Sequence, residues 1–137
     1  MLILLSNLNT SKMKVLVVDD EKDVQILFEQ RFRKEIRSGE MEFIFAFSGE
    51  EALNFMKNHE QEAVLILSDI NMPGINGLEL LKNIKEKYES PPLVVMLITA
   101  YSDDETHKTA IRLGADDFLT KPIDFHSLKE KLKTLMA

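Results

Sequence analysis

Val15-Leu16-Val17-Val18-Asp19-Asp20-Glu21 is the stretch on which the reading of this chain turns. Four aliphatic residues, three of them β-branched, favour an extended backbone, and the run has no polar residue that could face water. A strand that is apolar on both faces is covered on both sides, as in parallel sheets. The run then stops on two adjacent carboxylates, so a buried strand delivers acidic groups to one edge of a sheet. Working outward, further short runs occur at Phe43 to Phe47, Ala63 to Leu67, Leu93 to Ile98 and Asp117 to Thr120. Between them the apolar spacing changes to three and four residues. Val24, Leu27, Phe28, Phe32 and Ile36 form one helical stripe, Leu78, Leu81 and Ile84 another, and Leu128, Leu132 and Leu135 a third. Ser48 with Glu51 and Ser102 with Glu105 have the spacing of capping boxes, and Gly114 after Leu113 suits a left-handed helix end. Five strands alternating with five helices predict an α/β domain with helices on both faces of an open parallel sheet.

The 137 residues fit a single domain, at 45% hydrophobic and 29% charged. Seventeen Lys and Arg against twenty-three Asp and Glu leave a net charge of −6, which opposes a grip on nucleic-acid phosphates. With no cysteine, thiolate metal sites, disulfides and cysteine nucleophiles drop out. No stretch approaches the roughly 20 apolar residues of a membrane span. Met1-Leu2-Ile3-Leu4-Leu5 lacks a basic n-region and is broken by Ser6-Asn7-Leu8-Asn9-Thr10. Residues 1–12 are therefore read as an extension and 13–137 as the domain, with cytoplasmic residence expected.

In open parallel sheets, ligands sit beyond the carboxyl ends of the strands. That rule selects Asp19 and Asp20 after the first strand, Asp69 after the third, Thr99 after the fourth and Lys121 after the fifth. Two carboxylates 4 Å apart repel by roughly 4 kcal/mol at an effective dielectric of about 20. An all-oxygen set calls for a hard cation, and few carboxylates with open positions suit Mg²⁺. The Lys121 ammonium and the Thr99 hydroxyl both suit phosphate oxygens. Together they describe phosphoryl chemistry, in which a carboxylate can itself be the nucleophile.

Val15-Leu16-Val17-Val18-Asp19-Asp20-Glu21, Ser68-Asp69-Ile70-Asn71-Met72-Pro73-Gly74 with Gly77, Thr99-Ala100 and Lys121-Pro122 resemble, in order, the motifs of the receiver domain of two-component response regulators. The resemblance runs from Met13 to the C-terminus and implies a flavodoxin-like, CheY-like sheet in the order 2-1-3-4-5. It also implies that Asp69 accepts a phosphoryl group from a sensor histidine kinase or phosphotransfer protein. Asp20 and Asp69 would ligate Mg²⁺ directly, Asp19 through water, and Asn71 by its backbone carbonyl. Lys121 would pair with the phosphoryl group and Thr99 would move to hydrogen-bond it. Phe118 occupies the aromatic switch position, and the fourth helix, fifth strand and fifth helix would form the readout surface for an output domain or partner. Homodimerisation on phosphorylation is among the outcomes the resemblance allows. Lys121-Pro122 matches a peptide bond often cis in the family.

Other readings are weaker. Counted from Asp69, Asn71 and Gly74 fit a calcium loop, but Pro73 and Leu80 fall where ligands are required. A Mg²⁺-dependent phosphatase or phosphotransferase with an aspartyl-phosphate intermediate would want a second acid two places after Asp69, where Asn71 stands. A flavin or nucleotide binder would want a glycine-rich loop after the first strand. The chain is thus expected to be a switch, not an enzyme apart from its own phosphorylation and dephosphorylation. Tyr101 is expected to affect access of the hydrolytic water. His59, His107 and His126 are read as lying on solvated helix faces.

Overall fold

The computed structural model describes residues 13–59, 64–88, 94–100 and 104–136. The elements run β1 (Met13–Val18), α1 (Asp23–Arg31), α2 (Arg33–Ser38), β2 (Met41–Ala46), α3 (Gly49–Asn58), β3 (Val64–Asp69), α4 (Gly77–Lys87), β4 (Val94–Thr99), α5 (Asp104–Leu113), β5 (Asp117–Thr120) and α6 (Phe125–Met136). All strand pairs are parallel, in the order β2-β1-β3-β4-β5.

The apolar runs are continuous because successive side chains enter two different cores. Val15 and Val17 of β1 join Phe28, Phe32, Leu128 and Leu132 on the side covered by α1 and α6. Leu16 and Val18 join Ala52, Met56, Leu80, Leu81, Ile84 and Ala110 on the side covered by α3, α4 and α5. β3 and β4 divide in the same way, with Ile66, Val95 and Leu97 on the second side and Leu65, Leu67, Met96 and Ile98 on the first. A fully buried side chain of this size contributes on the order of 2–3 kcal/mol.

The long first helix expected from the stripe Val24 to Ile36 is divided at Phe32, whose φ of −109° and ψ of 23° separate α1 from α2. Hydrogen bonding continues across the break, with Phe32 N–H donating to Phe28 O and Ile36 N–H to Phe32 O, both at 2.9 Å. Five expected helices thereby become six. The division lets Phe28 and Phe32 stay fully buried while Leu27 and Ile36 are each left 38% exposed. Phe28, Phe32, Phe43, Phe45 and Phe125 form a ring cluster with centroids 4.8–6.4 Å apart. This cluster fixes α1 against β2 and α6, and with it the loop after β1.

At α3, Ser48 Oγ accepts from Glu51 N–H at 3.0 Å, while the Glu51 carboxylate takes the N–H of Phe47, one residue before the cap. A full capping box instead starts α4, between Asn76 and Glu79. The Ser102 end of the other expected box lies outside the described residues, as does the capping of α5. Gly114 has φ of 104° and Gly74 of 74°, and the Lys121-Pro122 bond is cis. Among the described residues, no helix is long and apolar enough to cross a membrane.

Candidate functional site

β1, β3 and β4 pair in register, so Val18, Ser68 and Asp69 with Ile98 end side by side and their following residues converge on one edge. Asp19 and Asp69 are each only 4% exposed and Thr99 is 2% exposed, whereas Asp20 faces solvent. Carboxylate oxygens of Asp19, Asp20 and Asp69 all lie within 4.8 Å of one another. Lys121 reaches into this group from the end of β5. Its Nζ donates to Asp69 Oδ2 at 3.0 Å and stands 3.6 Å from Asp19 Oδ2. The backbone sets that reach, since Lys121 N–H donates to Thr99 O at 3.0 Å and continues the β4–β5 ladder.

The two buried carboxylates are also held by the chain that follows them. Asp19 Oδ1 accepts the N–H of Glu21 at 2.9 Å, and Asp69 Oδ1 the N–H of Asn71 at 3.4 Å. Burial raises the Asp19 carboxyl above the usual range, against the lowering effects of the Glu21 hydrogen bond and the Lys121 charge, with the Asp69 charge raising it further. Burial would lower the Lys121 ammonium, but its hydrogen bond to Asp69 and the charges of Asp19, Asp69 and Glu21 outweigh burial and raise it. One lysine therefore serves two buried acids, and the third acid stands beside them open to water. That donor set fits a small hard cation, which needs carboxylate oxygens and room for water.

Gly77 makes this arrangement possible. Its N–H donates to Ile70 O at 2.9 Å, which starts α4 directly against the end of β3. A Cβ there would collide with the carbonyl of Asp69 and the Cα of Ile70. Gly77→Ala is therefore expected to displace the Asp69 backbone and to destabilise the fold by about 1–3 kcal/mol, the range of overpacked cores. Thermal unfolding with and without Mg²⁺ measures both effects. An unchanged melting temperature would show that the two backbones separate freely.

The structure brings Asp19, Asp20, Asp69, Thr99 and Lys121 to one edge, as the sequence predicts. Asn71 follows them on an exposed turn, and Met72 beneath it is buried. Phe118 lies in β5 opposite Leu97 and packs on the core beneath α5. Tyr101 is outside the described residues. The histidines do not share one fate. His126 is 84% exposed, and His59 stacks on Phe55 one turn earlier. His107 corrects the expectation of a solvated face. Its ring stacks on Phe118 with centroids 4.3 Å apart and planes 7° off parallel, and its Nε2 is buried. The thin apolar stripe of α5 concealed this, because His107 fills an inward position that an aliphatic residue would have made legible.

A β2-β1-β3-β4-β5 sheet with acids at the carboxyl ends of its first and third strands and a lysine after its fifth defines the receiver class of signalling domain. The family model for the response regulator receiver domain matches residues 15–133, and this chain belongs to that family. Solved structures agree. A putative response regulator from Chloroflexus aurantiacus is similar over 90% of this chain and 97% of its own at 28% identity, with a TM-score of 0.76. The receiver domain of Saccharomyces cerevisiae Ssk1, solved with the histidine phosphotransfer protein Ypd1, is similar over 88% and 86% at 27% identity and a TM-score of 0.72. Vibrio cholerae CheY4 shares the fold at 24% identity and a TM-score of 0.76, over 90% of this chain and 98% of its own.

Proposed function

We propose that this receiver domain is a phosphorylation-controlled switch whose acceptor is Asp69. The observation that carries the reading is the 3.0 Å contact of Lys121 with Asp69 beside the acids at 19 and 20. A carboxylate oxygen of Asp69 attacks the phosphorus of a phosphohistidine on a sensor kinase or phosphotransfer protein, forming an acyl phosphate. The P–N bond breaks and the imidazole leaves with its electron pair. The phosphotransfer protein seated on the similar Ssk1 receiver supports that kind of donor.

Asp20 and Asp69 would hold Mg²⁺ directly, Asp19 through water and Asn71 by its carbonyl, and the bound ion would neutralise charge on the phosphoryl oxygens. Lys121, already turned toward Asp69, pairs with the incoming group, and Thr99 at the end of β4 supplies a hydroxyl to it. Phe118 follows Thr99, and the face of α5, β5 and α6 reports the change to an output domain or partner. Residues 13–137 carry this function, residues 1–12 stand outside it, and a cytoplasmic setting suits the kinase partner.

The decisive experiment is chemical labelling of the acceptor, in which a small phosphodonor with Mg²⁺ is expected to label the wild type and not Asp69→Asn. A second test concerns the lysine. Lys121→Ala is expected to lower phosphorylation by roughly 10²–10³-fold, the usual effect of removing one preorganised electrostatic donor. Lys121→Arg recovers only part of that, since a planar fork does not replace a point charge between two carboxylates. Initial rates with a small phosphodonor measure the change. A rate within twofold of wild type would remove Lys121 from the chemistry.

A further inference from the structure

Phe118 is read above as the ring that responds at the site, and α5 as part of the surface that reports. What joins them is a contact between rings. His107, in the first turns of α5, lies flat on Phe118 at 4.3 Å between centroids and 7° between planes. Its Nε2 is buried without a hydrogen-bond partner among the described residues. A buried polar nitrogen left unpaired is unfavourable, so the stack holds an atom that would gain by reaching water. Opening the stack would relieve that cost.

The rest of α5 makes this contact matter. Ala110 is the one fully buried residue of that helix, and Ile111 beside it is 61% exposed. A helix anchored by so small a side chain takes its position from its larger partly buried contacts. The stacked pair is one of these, and it lies directly over β5.

We propose that His107 is the positioning residue that couples Phe118 to α5, so that displacement of the Phe118 ring releases or drags the helix and changes the surface around Ile111. The inference rests on the switch reading of Phe118 and goes beyond it by naming the side chain that carries the motion outward. A merely space-filling His107 would be replaced equally well by any side chain of similar bulk. A coupling through stacking requires a flat ring.

Methyl-labelled protein is compared by NMR before and after addition of Mg²⁺ and beryllofluoride, a phosphoryl mimic, with the Ile111 methyl and the Phe118 ring followed in the same samples. In the wild type both are expected to shift. In His107→Ala and His107→Leu the Phe118 ring still responds, while the Ile111 shift falls by roughly threefold or more, within the range by which single contacts change coupling between sites. His107→Phe restores it. An Ile111 response unchanged in His107→Ala, or restored as well by leucine as by phenylalanine, overturns the coupling while leaving the switch intact. A Phe118 ring that stays still in a wild-type protein whose Ile111 responds overturns the switch reading itself, and the proposal with it.

Discussion

With Mg²⁺ and a small acyl phosphodonor, the wild-type chain is expected to take up one phosphoryl group, and Asp69→Asn none above background. Asparagine keeps the size of the side chain and one oxygen, so the fold and the turn through Asn71 survive. It does not keep the charge that makes the oxygen a nucleophile. Asp69 is also the only one of the three acids that combines near-complete burial with a hydrogen bond from Lys121. Burial excludes water from the reacting oxygen, and the lysine stands ready to compensate charge on the incoming group. Mass spectrometry of the intact protein gives the stoichiometry. Stability of the label in acid and loss in base identifies an acyl phosphate. Label retained in Asp69→Asn would assign the chemistry to another residue.

The second large effect concerns the metal. Asp20→Ala is expected to weaken Mg²⁺ binding at least about tenfold, since even loss of an outer partner of a metal ligand costs 10–100-fold. Phosphorylation at fixed Mg²⁺ falls with it. Asp20 is exposed, and among the described residues no hydrogen bond to its side chain holds the fold, so its removal should change stability by only about 0.5 kcal/mol. The separation of the two effects makes the test clean. Calorimetric titration with Mg²⁺ measures the affinity, and thermal unfolding shows that the fold persists. Unchanged affinity would remove Asp20 from the ligand set and leave Asp19 and Asp69 to hold the ion with solvent.

Much of the site was legible because a parallel sheet converts sequence position into spatial position. Once Val15 to Val18 is read as a buried strand, the residue after each strand must lie on one edge, and Asp19, Asp69, Thr99 and Lys121 follow. Gly77 was legible as part of a motif but not as a necessity. Its reason is the approach of α4 to the Asp69 backbone, a distance that no local pattern encodes. The break at Phe32 was hidden for a related reason, since the stripe continues across it and only packing of the five rings decides where the helix turns. His107 was misread because a polar residue on a helix is ordinarily solvated, and its burial depends on a ring in a strand eleven residues further on.

By itself the sequence determined the class of fold, the edge at which chemistry occurs and the residue types assembled there. Those follow from strand periodicity and from the fixed direction of parallel strands, which are local rules. The tertiary structure decided what the local rules leave free: that Lys121 bonds Asp69 at 3.0 Å and stands farther from Asp19, that Asp20 alone of the acids meets water, and that His107 covers Phe118. Each depends on side chains distant in sequence packing against one another, and packing is a property of the whole chain.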